Sequence, residues 1–153
     1  MIVYLSYPIS AGLPSFDKIL ALSRALRIAD VRILDPGRHN LPENVPKLGK
    51  IVVQRALEDI DNCDMVISLY ERPSVGQSME WFYAHSQGKP ILLITEVPEY
   101  EWSYWLRQYT SACVRDIDGV NKVISKCLSI HQDDFWNRTC EELADLPWFL
   151  VIE

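Results

Sequence analysis

The chain has 153 residues, of which 48% are hydrophobic and 24% charged, and such a chain fits one globular domain with a sizeable core. Its formal net charge of -6 disfavours nucleic-acid binding, which relies on a basic surface, but still allows a small anion at a helix N-terminus. The apolar runs are too short to span a bilayer, and the N-terminus has neither the basic nor the long apolar region of a secretory signal. We therefore expect a cytoplasmic protein that binds a small molecule and neither nucleic acid nor membrane.

The cysteines and histidines show no spacing typical of a metal site. The four cysteines include no Cys-x-x-Cys pair, and the three histidines are scattered between residues 39 and 131. We expect reduced thiols, no metal and no redox cofactor.

Short apolar runs alternate with longer amphipathic segments along the first two thirds of the chain. The predicted strands are residues 1–5, 31–34, 65–69 and 90–95. The predicted helices between them are residues 16–29, 49–62 and 78–87, and Gly88 ends the last of these helices. This alternation predicts an α/β fold: a doubly wound, Rossmann-like parallel sheet of about five strands with helices on both faces.

The last third of the chain has a weaker pattern. It predicts an aromatic-rich helix over 99–109, a short fifth strand over 112–114, helices over 120–130 and 133–144, and a strand-like or docking tail over 148–152. The aromatic helix is typical of a buried or subunit interface and favours a homodimer. We expect one domain over 1–153, with a divergent helical C-terminal segment from about residue 118.

Glu80 follows one of three loops that lie at the carboxyl ends of predicted strands, where doubly wound folds bind ligands. It is expected in the first turn of its helix, where the helix dipole favours the ionised form. An ionised carboxylate at a pocket edge can attack an electrophilic carbon and form a covalent intermediate. By local chemistry alone, the commoner explanation is a helix-start acid behind Ser78 as an ordinary N-cap.

The stretch CDMVISLYERPSVGQSMEWFYAHSQGKPILLI, residues 63–94, resembles the signature of the nucleoside 2-deoxyribosyltransferase superfamily. That signature has a strand opened by Asp, a Gly-containing turn, a catalytic Glu, and Gly-Lys-Pro before the next strand. The branch of 2'-deoxynucleoside 5'-phosphate N-hydrolases has a Pro-Ser-x-Gly-x-x-x-Glu spacing. This spacing is matched by Pro73, Ser74, Gly76 and Glu80. The N-terminal YLSYPISAG is also similar to that branch's first strand and phosphate-facing loop, through Tyr4, Ile9 and Gly12.

The resemblance implies roles for several residues. Glu80 would be the nucleophile that displaces the nucleobase through a covalent glycosyl-enzyme intermediate, and Ser74 and Gly76 would hold the 5'-phosphate. The transferases tend to carry an acid where Ser74 stands, so a neutral Ser favours a nucleotide over a nucleoside and hydrolysis over transfer. Further substrate contacts are expected for Ile9, Ser10, Gly12 and Ser103, and for Tyr7, which stands where the superfamily favours a small residue. Tyr7 either stacks on a base or ribose or fills the pocket, and Ser103 is either lent across a dimer interface or an ordinary surface serine.

One expected acid is missing. The superfamily places an Asp eight residues ahead of the strand-opening Asp64, and this chain has Ala56 there. Glu58 and Asp59 are candidate substitutes, but adjacent helical residues point about 100° apart, so only one of them can face the site. Three functions stay open: a nucleotide N-glycosidase, a nucleotide-binding or sensing module without turnover, and a deoxyribosyltransferase that exchanges bases.

Overall fold

The computed structural model describes residues 1–8, 16–38 and 45–129. Within these ranges one parallel sheet has the strand order β2-β1-β3-β4-β5. Its strands are Ile2–Ser6 (β1), Arg32–Leu34 (β2), Met65–Leu69 (β3), Ile91–Ile94 (β4) and Ala112–Val114 (β5). The helices are Phe16–Ile28 (α1), Val45–Asp61 (α2), Val75–Ser86 (α3), Tyr104–Tyr109 (α4) and Ile117–Ser129 (α5). Short 3-10 turns cover Pro36–Arg38 and Glu99–Glu101.

Strand side chains alternate between two core layers because successive residues of a strand point to opposite faces. On one face, Val3 and Leu5 of β1 pack with residues of α1 and α5. On the other face, Tyr4 packs with residues of α2, α3 and α4. Helices therefore cover both faces of a five-stranded parallel sheet, and the predicted doubly wound fold is confirmed.

The strand order reverses direction between β1 and β3. These strands are neighbours, with Ser6 paired to Ser68, yet the chain leaving β1 reaches α1 on one face and the chain leaving β3 reaches α3 on the other. Such a switch point opens a crevice at the carboxyl ends of the two strands, where doubly wound proteins bind ligands.

Helix α3 begins three residues earlier than the sequence pattern predicts. Ser74 is its N-cap, and Ser78 lies inside the helix, where its hydroxyl donates to the Ser74 carbonyl at 2.9 Å. Glu80 is therefore the sixth residue of the helix, so the expectation that it lies in the first turn is wrong. Gly88 follows the helix with a φ of 69°, as its predicted role at the helix end requires.

Other boundaries also differ from the predictions, and α5 begins at Ile117, three residues before its predicted start. Helix α2 begins at Val45, because Pro46 is tolerated in a first helical turn, where its missing N–H has no partner to lose. The aromatic segment splits into the Glu99–Glu101 turn and the short α4, and Ser103 caps α4. The predicted helix over 133–144 and the tail over 148–152 lie outside the described residues. In the described part of the chain, no helix has the length and apolar character needed to cross a membrane.

Candidate active site

Both carboxylate oxygens of Glu80 accept hydrogen bonds from hydroxyls of β1. Oε1 accepts from the Tyr4 hydroxyl at 2.8 Å, and Oε2 accepts from the Ser6 hydroxyl at 2.6 Å. Tyr4 and Ser6 lie two residues apart, so their side chains share the face of β1 that α3 covers. The two bonds fix the orientation of the carboxylate at the carboxyl end of β1, and each oxygen keeps further lone-pair capacity.

Burial raises the pKa of the half-buried Glu80 above its ordinary value, and the hydrogen bonds from Ser6 and Tyr4 oppose that shift. Burial and the neighbouring carboxylate raise the pKa of Tyr4 far above its ordinary range, so its phenol stays protonated as a donor. The ionised form of Glu80 is thus stabilised by two hydroxyl donors, and not by the helix dipole as predicted. A poorly solvated carboxylate in fixed orientation can act as a nucleophile or as a general acid–base.

Gln77 lies on the same face of α3 as Glu80, one turn earlier, and is only 2% exposed. Its side-chain NH2 group contacts the Ser6 carbonyl at 3.2 Å, the Ser68 hydroxyl at 2.8 Å and the Leu69 carbonyl at 2.9 Å. The indole of Trp81 donates to the same Ser68 hydroxyl at 2.8 Å. The inner face of α3 is therefore hydrogen-bonded to the ends of both β1 and β3.

Ser74 and Gly76 lie at the N-terminus of α3. Ser74 has extended backbone angles, φ -138° and ψ 129°, and its side chain makes no capping hydrogen bond. A Cβ added at Gly76 would meet no atom within 4 Å, so the helix backbone is open there. The first N–H groups of a helix lack intrahelical partners, and this uncapped end can hold an anion.

The two candidate acids of α2 differ in their surroundings. Glu58 is exposed, and its carboxylate accepts from the Gln54 amide at 2.8 Å. Asp59 is half-buried, and its charge contributes to the raised pKa of Tyr4. The structure therefore brings Asp59 towards the Glu80 cluster and leaves Glu58 outside it. Ala56, at the position of the missing acid, packs against the core on the α2–α4 side.

Tyr7 is buried, and its hydroxyl donates to Asp35 at 2.6 Å. Asp35 also accepts from the Gly37 N–H at 3.0 Å, so Tyr7 joins the end of β1 to the turn after β2. Burial and this hydrogen bond raise the pKa of Tyr7. Its ring packs with the core on the α1 side, a position that favours the pocket-filling alternative over stacking on a ligand.

Ser103 is exposed and caps α4, where its hydroxyl oxygen accepts from the Leu106 N–H at 3.2 Å. The structure does not join it to the Glu80 cluster. The remaining predicted substrate contacts, Ile9, Ser10 and Gly12, lie outside the described residues.

Two charged residues of the signature have structural contacts. Asp64 accepts from the Ile2 N–H at 2.7 Å and ties the start of β1 to β3. Lys89 donates to the carbonyls of Asp61 and Cys63 at 3.0 and 2.8 Å. It thereby satisfies one carbonyl at the C-terminus of α2 and one just beyond it, as a cation at a helix C-terminus can.

Neither two of the cysteine thiols nor a metal-binding cluster offers a competing centre in the described residues. Burial raises the pKa of the Cys63 and Cys113 thiols to about 11, which keeps them protonated at neutral pH. No three His, Cys, Asp or Glu side chains of the described residues gather as metal ligands would.

A cavity of about 600 Å³ lies at the carboxyl ends of β3, β4 and β5. Leu22 of α1 and Leu69 of β3 contribute apolar wall, and Glu80 is not among its lining residues. Lys18 of α1 bridges Glu71 and Glu96 at its rim, at 3.1 and 3.4 Å. The cavity shares an edge of the sheet with the Glu80 cluster, but the carboxylate chemistry lies at β1 and β3.

Three solved structures have a similar fold. A 2-deoxyribosyltransferase from Bacillus psychrosaccharolyticus has a TM-score of 0.64 and 19% identity, over 79% of this chain and 90% of that one. A CMP N-glycosidase of Clostridium botulinum has a TM-score of 0.54 and 18% identity, over 82% and 98%. A conserved protein of Enterococcus faecalis has a TM-score of 0.55 and 16% identity, over 100% and 91%. No protein-family model and no curated protein sequence matches the chain significantly. The likeness shows a shared α/β fold.

Proposed function

We propose that the protein is a nucleotide N-glycosidase, which hydrolyses the bond between a nucleobase and (deoxy)ribose 5'-phosphate. The observation that carries the proposal is the Glu80 carboxylate, held by Tyr4 and Ser6 at the switch point of the sheet. Two proteins of similar fold, a CMP N-glycosidase and a 2-deoxyribosyltransferase, act on this kind of bond, which supports the same chemistry here.

In the proposed reaction, Glu80 Oε1 or Oε2 attacks the anomeric carbon while the bond from that carbon to the base nitrogen breaks. The base leaves with the electron pair and takes up a proton, and a glycosyl ester remains on Glu80. Water then attacks the anomeric carbon of the ester, gives a proton back to the group that protonated the base, and releases the sugar phosphate and the Glu80 carboxylate. Tyr4 and Ser6 orient the carboxylate before attack and receive it again as the leaving group.

Asp59 is the residue we propose for the acid that Ala56 cannot supply. It is half-buried on the inward side of α2, and its charge helps to raise the pKa of Tyr4. A carboxyl group in that position would orient the sugar or protonate the departing base. Glu58 is hydrogen-bonded to Gln54 at the surface and is not part of this proposal.

The 5'-phosphate is assigned to the N-terminus of α3. The open N–H groups near Gly76 and the neutral hydroxyl of Ser74 suit a dianion better than an acidic side chain would. This assignment favours a nucleotide over a nucleoside as the substrate.

We also propose that the protein is a homodimer. Five large hydrophobic side chains on α3 and α4 are 53–90% exposed: Val75, Met79, Phe82, Tyr104 and Trp105. The ring centroids of Phe82 and Trp105 lie 6.2 and 5.9 Å from that of Tyr109, so the two helices present one aromatic surface. A contiguous exposed apolar surface is typical of an interaction site, and a second copy covering it would place Ser103 of α4 at the interface.

A nucleotide-binding module without turnover is the second candidate, favoured by Ala56 at the position of the expected acid. A base-exchanging transferase is the third, supported by the similar deoxyribosyltransferase structure. The three candidates differ in their products. The glycosidase releases free base, the binding module leaves the nucleotide intact, and the transferase releases base only in exchange for an acceptor base.

The test is to incubate the protein with ribo- and deoxyribonucleoside monophosphates, with and without a free acceptor base, and to separate the products by chromatography. We expect free base and sugar phosphate without an acceptor, and their loss in Glu80→Gln. Glu101→Gln, which changes an exposed carboxylate of the Glu99–Glu101 turn, is the matched control and should retain release. Intact nucleotide after prolonged incubation, or undiminished release by Glu80→Gln, would contradict the proposal.

A further inference from the structure

Gln77 has a buried side-chain oxygen that departs from the usual pattern of protein interiors, in which buried polar atoms are hydrogen-bonded. It is 2% exposed, and its side-chain oxygen Oε1 has no hydrogen-bond partner among the described residues. The amide cannot be turned round to relieve this, because Oε1 would then face the carbonyl oxygens of Ser6 and Leu69. An unpartnered buried oxygen costs free energy, which an apolar side chain of similar size at this position would avoid.

The amide spans the switch point. Ser6 ends β1 and Leu69 ends β3, and the chains that follow them leave for opposite faces of the sheet. Hydrogen bonds from one NH2 group to both carbonyls therefore join the two walls of the crevice just below the place where they separate. The hydroxyl of Ser68, the register partner of Ser6, completes the set.

Ser6 links this amide to Glu80. Its carbonyl accepts from Gln77 at 3.2 Å, and its hydroxyl donates to Glu80 at 2.6 Å. Gln77 and Glu80 are three residues apart on α3 and therefore lie on the same helix face. On that face, Gln77 binds the backbone of Ser6 and Glu80 binds the side chain of Ser6. Displacement of the Ser6 backbone would move the shorter of the two hydrogen bonds that hold the carboxylate.

We propose that Gln77 is a positioning residue: its side-chain amide holds the end of β1 against β3 and α3, so that Ser6 keeps its hydrogen bond to Glu80. The proposal rests on the proposed function, because it takes Glu80 as the nucleophile. It gives a role to a buried amide whose oxygen has no hydrogen-bond partner among the described residues. Polar groups that oppose stability are expected where they serve a site.

Gln77→Met tests the proposal because methionine has similar length and flexibility but donates no hydrogen bond. The hydrogen bond from Ser6 lowers the pKa of Glu80. Loss of the Gln77 amide contacts should weaken that hydrogen bond, and the pKa of Glu80 should therefore rise in the variant. We expect kcat for base release to fall about tenfold or more and KM to change much less, as for other groups that act on the transition state. The acid limb of the pH profile should shift to higher pH.

Trp81→Phe is the matched control. It also removes a hydrogen bond to the Ser68 hydroxyl, but it leaves both Gln77 contacts with the strand carbonyls. We expect a pKa of Glu80 near that of the unmodified protein in this variant. An equal shift of the Glu80 pKa in Trp81→Phe and Gln77→Met would show that loosening of the core, rather than loss of the Gln77 contacts with the strand carbonyls, changes this pKa. That result would overturn the proposal.

Carbon-13 NMR titration of the Glu80 carboxyl gives a readout that does not depend on turnover. A failure of the proposed function would appear as no base release by the unmodified protein, while the titration would still test Gln77. A folded Gln77→Met with unchanged Glu80 titration overturns the positioning role. Gln77→Leu is the second variant, and if neither variant folds, the amide serves the fold itself and the proposal is overturned.

Discussion

The hydroxyl of Tyr4 lies 2.8 Å from the carboxylate of Glu80, although 76 positions separate the two residues in the chain. The contact joins the first strand of the sheet to the helix after the third strand. It exists because β1 and β3 are neighbours and α3 packs on the face that Tyr4 occupies. The tyrosine supplies a proton donor whose raised pKa keeps it protonated, next to a carboxylate whose pKa is raised by the same burial.

Tyr4→Phe should lower activity by raising the pKa of Glu80. The variant removes one of two hydrogen bonds that favour the charged carboxylate, and a bond to a charged group contributes about 1.5–3 kcal/mol. A pH–rate profile of base release should show its acid limb at higher pH, with the largest loss of rate on the acid side of the profile. An acid limb that stays in place, or moves to lower pH, would contradict the role assigned to Tyr4.

Glu80→Gln should stabilise the protein at neutral pH. Because the native pKa of Glu80 is raised above its ordinary 4.5, the stabilisation from its proton is complete below pH 4.5 and lost as pH rises through the native pKa. Each unit of that elevation corresponds to about 1.4 kcal/mol of unfolding free energy. Urea denaturation at several pH values should show an advantage for the variant at pH 7 that disappears towards pH 4.5.

Glu101→Gln is the control for that pH series, since Glu101 is exposed in the Glu99–Glu101 turn. It should follow the unmodified protein at every pH. A Glu80→Gln variant that is less stable than the unmodified protein at neutral pH would show that the carboxylate stabilises the fold.

Gly76→Ala should separate phosphate binding from stability. The added Cβ meets no atom within 4 Å, and replacing a glycine by alanine inside a helix stabilises by about 0.5–1 kcal/mol, which is an upper bound for Gly76 in the first turn of α3. The methyl group would instead occupy space that a phosphate needs near the helix N-terminus. We expect a higher melting temperature together with a KM for nucleoside monophosphates raised several-fold, measured by base release.

Gly49→Ala is the matched control for Gly76, because Gly49 also lies in a helix and its added Cβ also meets nothing within 4 Å. It should raise the melting temperature and leave KM alone. An unchanged KM in Gly76→Ala would contradict the proposal that the 5'-phosphate binds at the N-terminus of α3.

Asp59→Asn should reduce kcat far more than Glu58→Gln. Removing a general acid costs about 100-fold or more in rate, whereas Glu58 is hydrogen-bonded to Gln54 at the surface. Steady-state rates with one nucleoside monophosphate measure the difference. Equal rates for the two variants would contradict the assignment of Asp59 as the catalytic acid.

Trp105→Ser should weaken the proposed dimer. The side chain is 69% exposed in the chain, so its replacement should leave the fold intact while removing a large apolar contact from the aromatic surface of α3 and α4. Sedimentation velocity should show a dimer for the unmodified protein and a shift to monomer for the variant. A monomeric unmodified protein would exclude this interface.

The parts of the fold that depend on local pattern could be predicted from the sequence. The strands Met65–Leu69 and Ala112–Val114 are found where the apolar runs place them. The start of α3 could not be fixed, because Ser74 and Ser78 are both suitable N-caps and Gly76 between them is typical of a turn.

The candidate site could be predicted only in part. Glu80 stood out through a signature, but its partners come from a strand far away in sequence, and no local pattern pairs Tyr4 and Ser6 with it. Their spacing of two residues was the available signal that they share a face. Gln77 gave no signal, since a glutamine in a helical segment is ordinary until its burial is known.

The central claim is that Glu80 forms a covalent bond to the sugar. Mass spectrometry of peptides from protein quenched during turnover of a nucleoside monophosphate tests it most directly. The account predicts a peptide containing Glu80 that carries the added mass of the sugar phosphate, and no such adduct in Glu80→Gln. An adduct on another residue, or base release with no adduct on the Glu80 peptide at any time during turnover, would contradict it.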